Sequence, residues 1–105
     1  KKQLQLESCI LQIFKKDSLI PLHKDNEYFD VKTNKFISFN KKLYTAILFI
    51  NDPKEYTGGE ITIYPNKNYN NIPQGSILIF NSGELYKINK ISSGEMKCVY
   101  IWFSL

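Results

Sequence analysis

The sequence has no arginine and a single histidine, His23. All 14 basic residues are lysine, so no planar guanidinium is available to clamp a carboxylate through two parallel hydrogen bonds. A lone histidine excludes any site that needs two imidazoles from this chain. No apolar run approaches the roughly 20 residues that span a bilayer as a helix, and no signal peptide is visible. Cysteine is scarce as well. Cys9 and Cys98 both sit in apolar, strand-like runs and read as small buried hydrophobes rather than a disulfide, which points to a reducing, intracellular and cytoplasmic setting. The net charge of +4 is modest, and the pairs Lys1-Lys2, Lys15-Lys16 and Lys41-Lys42 read as solvated turns. Nucleic acid is therefore not the expected partner, nor is a membrane; a protein or peptide is.

What the chain does have is apolar and aromatic content, 43% and 14%, enough for a packed core and against disorder. A chain of 105 residues buries about 65% of its unfolded surface as one domain, residues 1–105. No helical period stands out. Ser8 to Phe14 is an apolar, β-branched run. Leu19 to Leu22 leads extended into His23, with Pro21 suiting an edge or irregular strand. Asn26 to Asn40 reads as an ordered loop or hairpin with short strands near Tyr28–Val31 and Phe36–Phe39. Leu43 to Ile50 is apolar on both faces and belongs at the centre of a sheet.

Asn51-Asp52-Pro53 stops that strand, and Gly58-Gly59 marks a tight backbone feature. Glu60 to Tyr64 alternates like a half-buried strand. Asn66 to Asn71 reads as a surface loop, and Pro73-Gln74-Gly75 as a turn before Ser76 to Phe80. Leu85 to Ile91 alternates, Ser92-Ser93-Gly94-Glu95 turns, and Met96 to Phe103 closes the chain. Seven or eight short strands with turns every eight to twelve residues indicate an all-β sandwich or barrel.

The tripeptide His23-Lys24-Asp25 carries the chemistry. On an extended segment a histidine and a carboxylate two residues apart project to one side, about 6–7 Å along the strand. Such a pair can grip a divalent metal, with Lys24 turned away.

In order and spacing the pieces resemble the double-stranded β-helix (jelly-roll) core of the iron(II)/2-oxoglutarate-dependent dioxygenases, in the prolyl-4-hydroxylase-like branch. Phe14 to Asp25 follows the family's aromatic turn and His-x-Asp, with Asp17 near the usual glycine. Thr45 to Asn51, Asp52 and Gly58-Gly59-Glu60 follow its "T-x-L-x-Y-L-N-D … G-G-E". Ile72 to Phe80 follows "v-P-x-x-G-x-l-v-x-F", and Asn81 to Phe103 follows its closing stretch up to "W-f". The resemblance implies a jelly roll of about eight antiparallel strands with few or no helices. The family's N-terminal helices have no counterpart in these 105 residues.

The resemblance also implies an iron site at His23 and Asp25. Its third ligand, a histidine in the family, aligns with Tyr86, which either binds the metal or fills the vacated space with its ring. The arginine or lysine that anchors the cosubstrate aligns with Met96. Lys97 is adjacent, but strand alternation turns it to the other face. A helper hydroxyl would fall at Phe49, with Thr45, Tyr44 or Tyr100 as substitutes. The expected function is a dioxygenase-like domain that has lost catalysis and serves as a binding or structural module. The alternatives are an active iron(II)/2-oxoglutarate oxygenase acting on a protein side chain or small molecule, and a metal-free interaction subunit of a larger assembly.

Overall fold

The computed structural model describes residues 3–38 and 42–104. Lys1, Lys2, Lys41 and the end of the Phe36–Phe39 run fall outside them.

Twelve strands run through the described residues: β1 (Gln5–Phe14), β2 (Ile20–His23), β3 (Glu27–Asp30), β4 (Lys35–Ser38), β5 (Tyr44–Phe49), β6 (Tyr56–Gly58), β7 (Ile61–Ile63), β8 (Lys67–Tyr69), β9 (Ile77–Asn81), β10 (Tyr86–Ile88), β11 (Ile91–Gly94) and β12 (Met96–Ser104). Eight of them form two four-stranded antiparallel sheets, ordered β1-β12-β5-β9 and β2-β10-β7-β8. Two antiparallel ribbons, β11-β6 and β3-β4, account for the rest. The only helical element among the described residues is a single 3-10 turn at Pro53–Glu55, capped by the Asp52 side chain accepting from the Lys54 amide. This is the all-β jelly roll that the sequence implies.

The core lies between the two large sheets. Alternation along β12 sends Met96, Cys98, Tyr100, Trp102 and Ser104 inward, where they meet Ile61 and Ile63 of β7 and Tyr86 and Ile88 of β10. Lys97, the residue between, pairs across the sheet with Ile13 and points away from the interior. β5 is central, as its apolar run requires, flanked by β12 and β9. Its inward residues Thr45, Ile47 and Phe49 are almost fully buried.

Three local readings need correction. Ser92-Ser93-Gly94 is not a turn but most of β11, paired with β6. The asparagine-rich stretch contains β8, whose Asn68 accepts a hydrogen bond from Thr62 across the hairpin. Cys9 is exposed rather than buried, whereas Cys98 is buried and its thiol is pushed up to about 12 by desolvation. Cys9 sits on the outward face of β1, an edge strand, where an apolar neighbourhood in sequence does not guarantee cover.

Gly58 adopts φ 85°, and a Cβ there would collide with the Lys90 carbonyl, so only glycine lets β6 close onto β11. At Gly59 a Cβ would come within 3.1 Å of the Met96 sulfur, so this glycine lets Met96 fill the interior.

The outward face of the larger sheet is apolar too. The row Leu11, Val99, Leu48, Ile77 and the row Cys9, Ile101, Ala46, Ile79 cross all four strands, with Leu11, Ile77 and Ile79 well exposed. Replacing Ile79 by lysine is expected to change folding stability by no more than about 0.5 kcal/mol; a loss above about 2 kcal/mol in urea unfolding would show that this face is packed in the folded chain.

A candidate site built on a buried carboxylate

β2 ends at His23, and Asp25 stands in the turn that follows. The strand stops two residues short of Asp25, so the two side chains do not lie side by side along it. They turn to face each other instead, with His23 Nε2 2.8 Å from Asp25 Oδ1. Tyr86, the first residue of β10, pairs with His23 across the sheet and donates its hydroxyl proton to the same oxygen at 2.9 Å. The second oxygen, Oδ2, accepts from Thr45 of β5 at 2.9 Å and from the Trp102 indole of β12 at 3.0 Å. Since the Thr45 proton goes to Asp25, the 2.9 Å contact between Thr45 and Ser82 is a bond donated by Ser82. Four donors from four elements thus converge on one carboxylate, the only charged side chain that is buried among the described residues.

The arrangement biases the protonation states. Nδ1 of His23 lies 2.9 Å from the Pro21 carbonyl, which can only accept, and Nε2 faces a carboxylate. Both ring nitrogens thus face acceptors, an arrangement that favours the doubly protonated ring. The hydrogen bond to Asp25 raises the His23 pKa, outweighing the opposing effect of burial. For Asp25, burial alone pushes the pKa up, but the bonds from His23, Trp102, Tyr86 and Thr45 together hold it below the ordinary value. Tyr86 is driven strongly upward, first by burial and then by its neighbours Tyr100 and Asp25. It stays a phenol.

Stability should follow these shifts. The contribution of Asp25 is present above its ordinary value of 3.8 and is lost as pH falls through the lowered folded value. That of His23 is present in full below 6.5 and is lost as pH rises through the raised folded value. The urea midpoint should accordingly plateau between about pH 4 and 6.5 and decline on both sides, and His23→Gln should remove the alkaline decline. A midpoint that keeps climbing to pH 9 would contradict this.

The remaining candidate positions are placed as follows. Tyr86 is fully buried, its ring 4.8 Å from Phe80 and 4.6 Å from the His23 ring, centroid to centroid. Phe49 packs in the core opposite Cys98. Met96 is buried, and no lysine among the described residues is. Asn51 holds the start of β12 by accepting from the Lys97 amide and donating to the Glu95 carbonyl. The structure brings His23, Asp25, Tyr86 and Thr45 together and leaves Phe49, Met96 and Lys97 outside the cluster. Ser82 and Trp102 belong to it and were not singled out from the sequence. Trp102 was accessible by alternation, since it shares the inward face of β12 with Met96 and Tyr100. Lys42, read as part of a solvated turn, places its ammonium 4.2 Å above the Trp102 ring.

The fold and this cluster define a jelly roll with a histidine at the end of β2 and an aspartate in the turn that follows. Comparison with known proteins agrees. The chain is 34% identical over 79 residues to a PKHD-type hydroxylase of Prochlorococcus marinus, covering 72% of this chain and 36% of that protein. It is 30% identical over 60 residues to a PKHD-type hydroxylase of Shewanella baltica, covering 55% and 27%. The chain thus spans about a third of the length of these relatives. Among solved structures it superposes on a 2OG-Fe(II) oxygenase family oxidoreductase from Burkholderia pseudomallei with TM-score 0.75 at 13% identity, covering 97% of this chain and 45% of that one. On the 2OG complex of the viral collagen prolyl hydroxylase of Paramecium bursaria Chlorella virus-1 the TM-score is 0.73 at 18% identity, covering 97% and 60%. No family model matches the chain. In sequence and in fold the chain is similar to the iron(II)/2-oxoglutarate dioxygenases, in their prolyl-4-hydroxylase-like branch.

Proposed function

We propose that this is a prolyl-hydroxylase-like domain whose iron position has become a structural hydrogen-bond network, and that it acts as a binding or structural module without oxygenase turnover. The observation that carries this reading is the Asp25 carboxylate, each of whose oxygens already accepts two hydrogen bonds. Ferrous iron is held through lone pairs of neutral imidazole and of carboxylate oxygen. Here His23 Nε2 is engaged by Asp25 and Nδ1 by the Pro21 carbonyl, and Tyr86 remains a phenol. Among the described residues no three His, Cys, Asp or Glu side chains cluster as a metal site. The residues in this arrangement do not fit the ion.

The cosubstrate position supports the same reading. A buried carboxylate of 2-oxoglutarate left unpaired would cost several kcal/mol, and the position that resemblance assigns to its cation is Met96, packed against Gly59. Lys97 is on the other face of β12.

The test is conversion of 2-oxoglutarate to succinate by the purified chain with iron(II) and ascorbate, with metal retention measured alongside. The expected result is no succinate above the protein-free control and no retained iron. Robust, iron-dependent turnover would overturn the reading. It would favour instead an active oxygenase, to which the hydroxylase names of the sequence relatives point and which requires the His23–Asp25 pair to open.

A further inference from the structure

The outer face of the large sheet takes no part in the Asp25 network. Its rows through Val99 and Ile101 continue into a third that runs Leu6, Phe103, Tyr44. Leu6, Leu11, Ile77 and Ile79 are each more than half exposed. Among the described residues the only charged side chain in these registers on that face is Lys97, beside Ile13 at one end. Contiguous apolar surface of this kind marks an interaction site.

The extent and charge of the face select its occupant. Four strands about 4.8 Å apart, followed along about seven residues of β12, make a rectangle of roughly 19 by 23 Å. Two such faces in contact cover roughly 900 Å² in projection. The relief of the side chains carries the accessible area past the level of about 1,000 Å² that a specific interface clears. A single helix, about 10–12 Å across with its side chains, covers only about half the width. A partner chosen by charge, such as an acidic protein or a nucleic acid, would meet one lysine. A second copy of the same face matches it in extent and brings no cluster of like charges together, although the chain as a whole carries +4.

We infer that two copies of this chain pack outer sheet against outer sheet about a two-fold axis, as a sandwich of two four-stranded sheets. The contact is isologous, the same patch meeting itself, with the sheets about 10 Å apart and their strands about 30° from parallel. Ala46, the smallest residue of the face, lies between Ile101 and Ile79. The hollow above it receives an aliphatic side chain of the second copy. No residue of this face belongs to the Asp25 cluster, so dimerisation is expected with or without iron.

Sedimentation equilibrium on the purified chain between about 1 and 200 µM should show the mass rising from 12.3 kDa to twice that value, with a Kd in the micromolar range or tighter. Ile79→Lys on β9 and Leu11→Glu on β1 each place a charge in the apolar contact. Each should weaken association at least about 30-fold, equivalent to about 2 kcal/mol. Val31→Lys, at an 81% exposed residue outside the large sheet, should leave association unchanged. Cys9 is exposed on the face and Cys98 is buried, so maleimide alkylation of Cys9 reports on the contact. Its rate should fall about three-fold or more from the dilute to the concentrated end.

A wild-type mass that stays at 12.3 kDa, a mass that climbs beyond the dimer, or association that both charged variants leave intact would each overturn the inference. So would a dimer in which the Cys9 rate does not change with concentration, because its contact then lies elsewhere. Leu11 and Ile79 are exposed, and circular dichroism should show both variants folded; if one fails to fold, the other and the Cys9 rate decide. Succinate formation bears only on the iron position, and the mass only on this face.

Discussion

Asp25→Ala should lower folding stability by about 3–5 kcal/mol, the range for breaking a buried pair by removing one partner. The size follows from what is left behind. Four donors lose their acceptor at once: the His23 imidazolium, the Tyr86 and Thr45 hydroxyls and the Trp102 indole. Hydrogen bonds to a charged group contribute about 1.5–3 kcal/mol each, and Thr45 and Tyr86 are completely buried, so their hydroxyls have no bulk water to turn to. Such a loss is a large share of the roughly 5–15 kcal/mol that holds a typical domain together. In thermal unfolding it corresponds to a fall of about 12–40 °C at 4–8 °C per kcal/mol. Measured in metal-free buffer, the result also separates two roles for this residue. An aspartate serving only to bind a metal would cost little when removed without the metal present. A loss below about 1 kcal/mol would therefore end the description of Asp25 as the hub of a structural network.

Much of this was legible in the residues. β5 and β12 announce themselves because both must bury an apolar face at the centre of a sheet, and period-two alternation along β12 correctly sends Lys97 outward and Met96 inward. The strands that escaped detection are β6, β8 and β11, built from Thr, Gly, Asn and Ser. Their strand geometry comes from pairing partners elsewhere in the chain: β6 meets β11 more than thirty residues later. No local propensity encodes that. The same holds at the site. His23, Asp25, Tyr86 and Thr45 were found because motif order singled them out. That His23 and Asp25 bond to each other depends on where β2 ends and on donors arriving from β5, β10 and β12, and a tripeptide carries neither fact.

Tyr86→His should convert the network into a metal site. The position pairs with His23 and reaches Asp25, and a second imidazole there supplies the lone pair that the phenol lacks. Without metal the variant should be about 2–3 kcal/mol less stable than the wild type, since a fully buried aromatic ring and its hydrogen bond are lost. Cobalt(II), a divalent ion that oxygen does not readily oxidise in such sites, then competes with the His23–Asp25 bond for the same atoms. At a concentration 100 times its Kd it should return about 2.7 kcal/mol, a rise of about 10–20 °C in Tm, while the wild type should show no shift at the same concentration. Succinate should still not form at an appreciable rate, because Met96, at the position that resemblance assigns to the cosubstrate's cation, is a buried, uncharged side chain. An equal cobalt shift in wild type and variant would mean that Tyr86 already permits metal binding and that the hydrogen bonds around Asp25 yield to it. A shift confined to the variant identifies the exchange of one imidazole for one phenol as the step that closed the iron position.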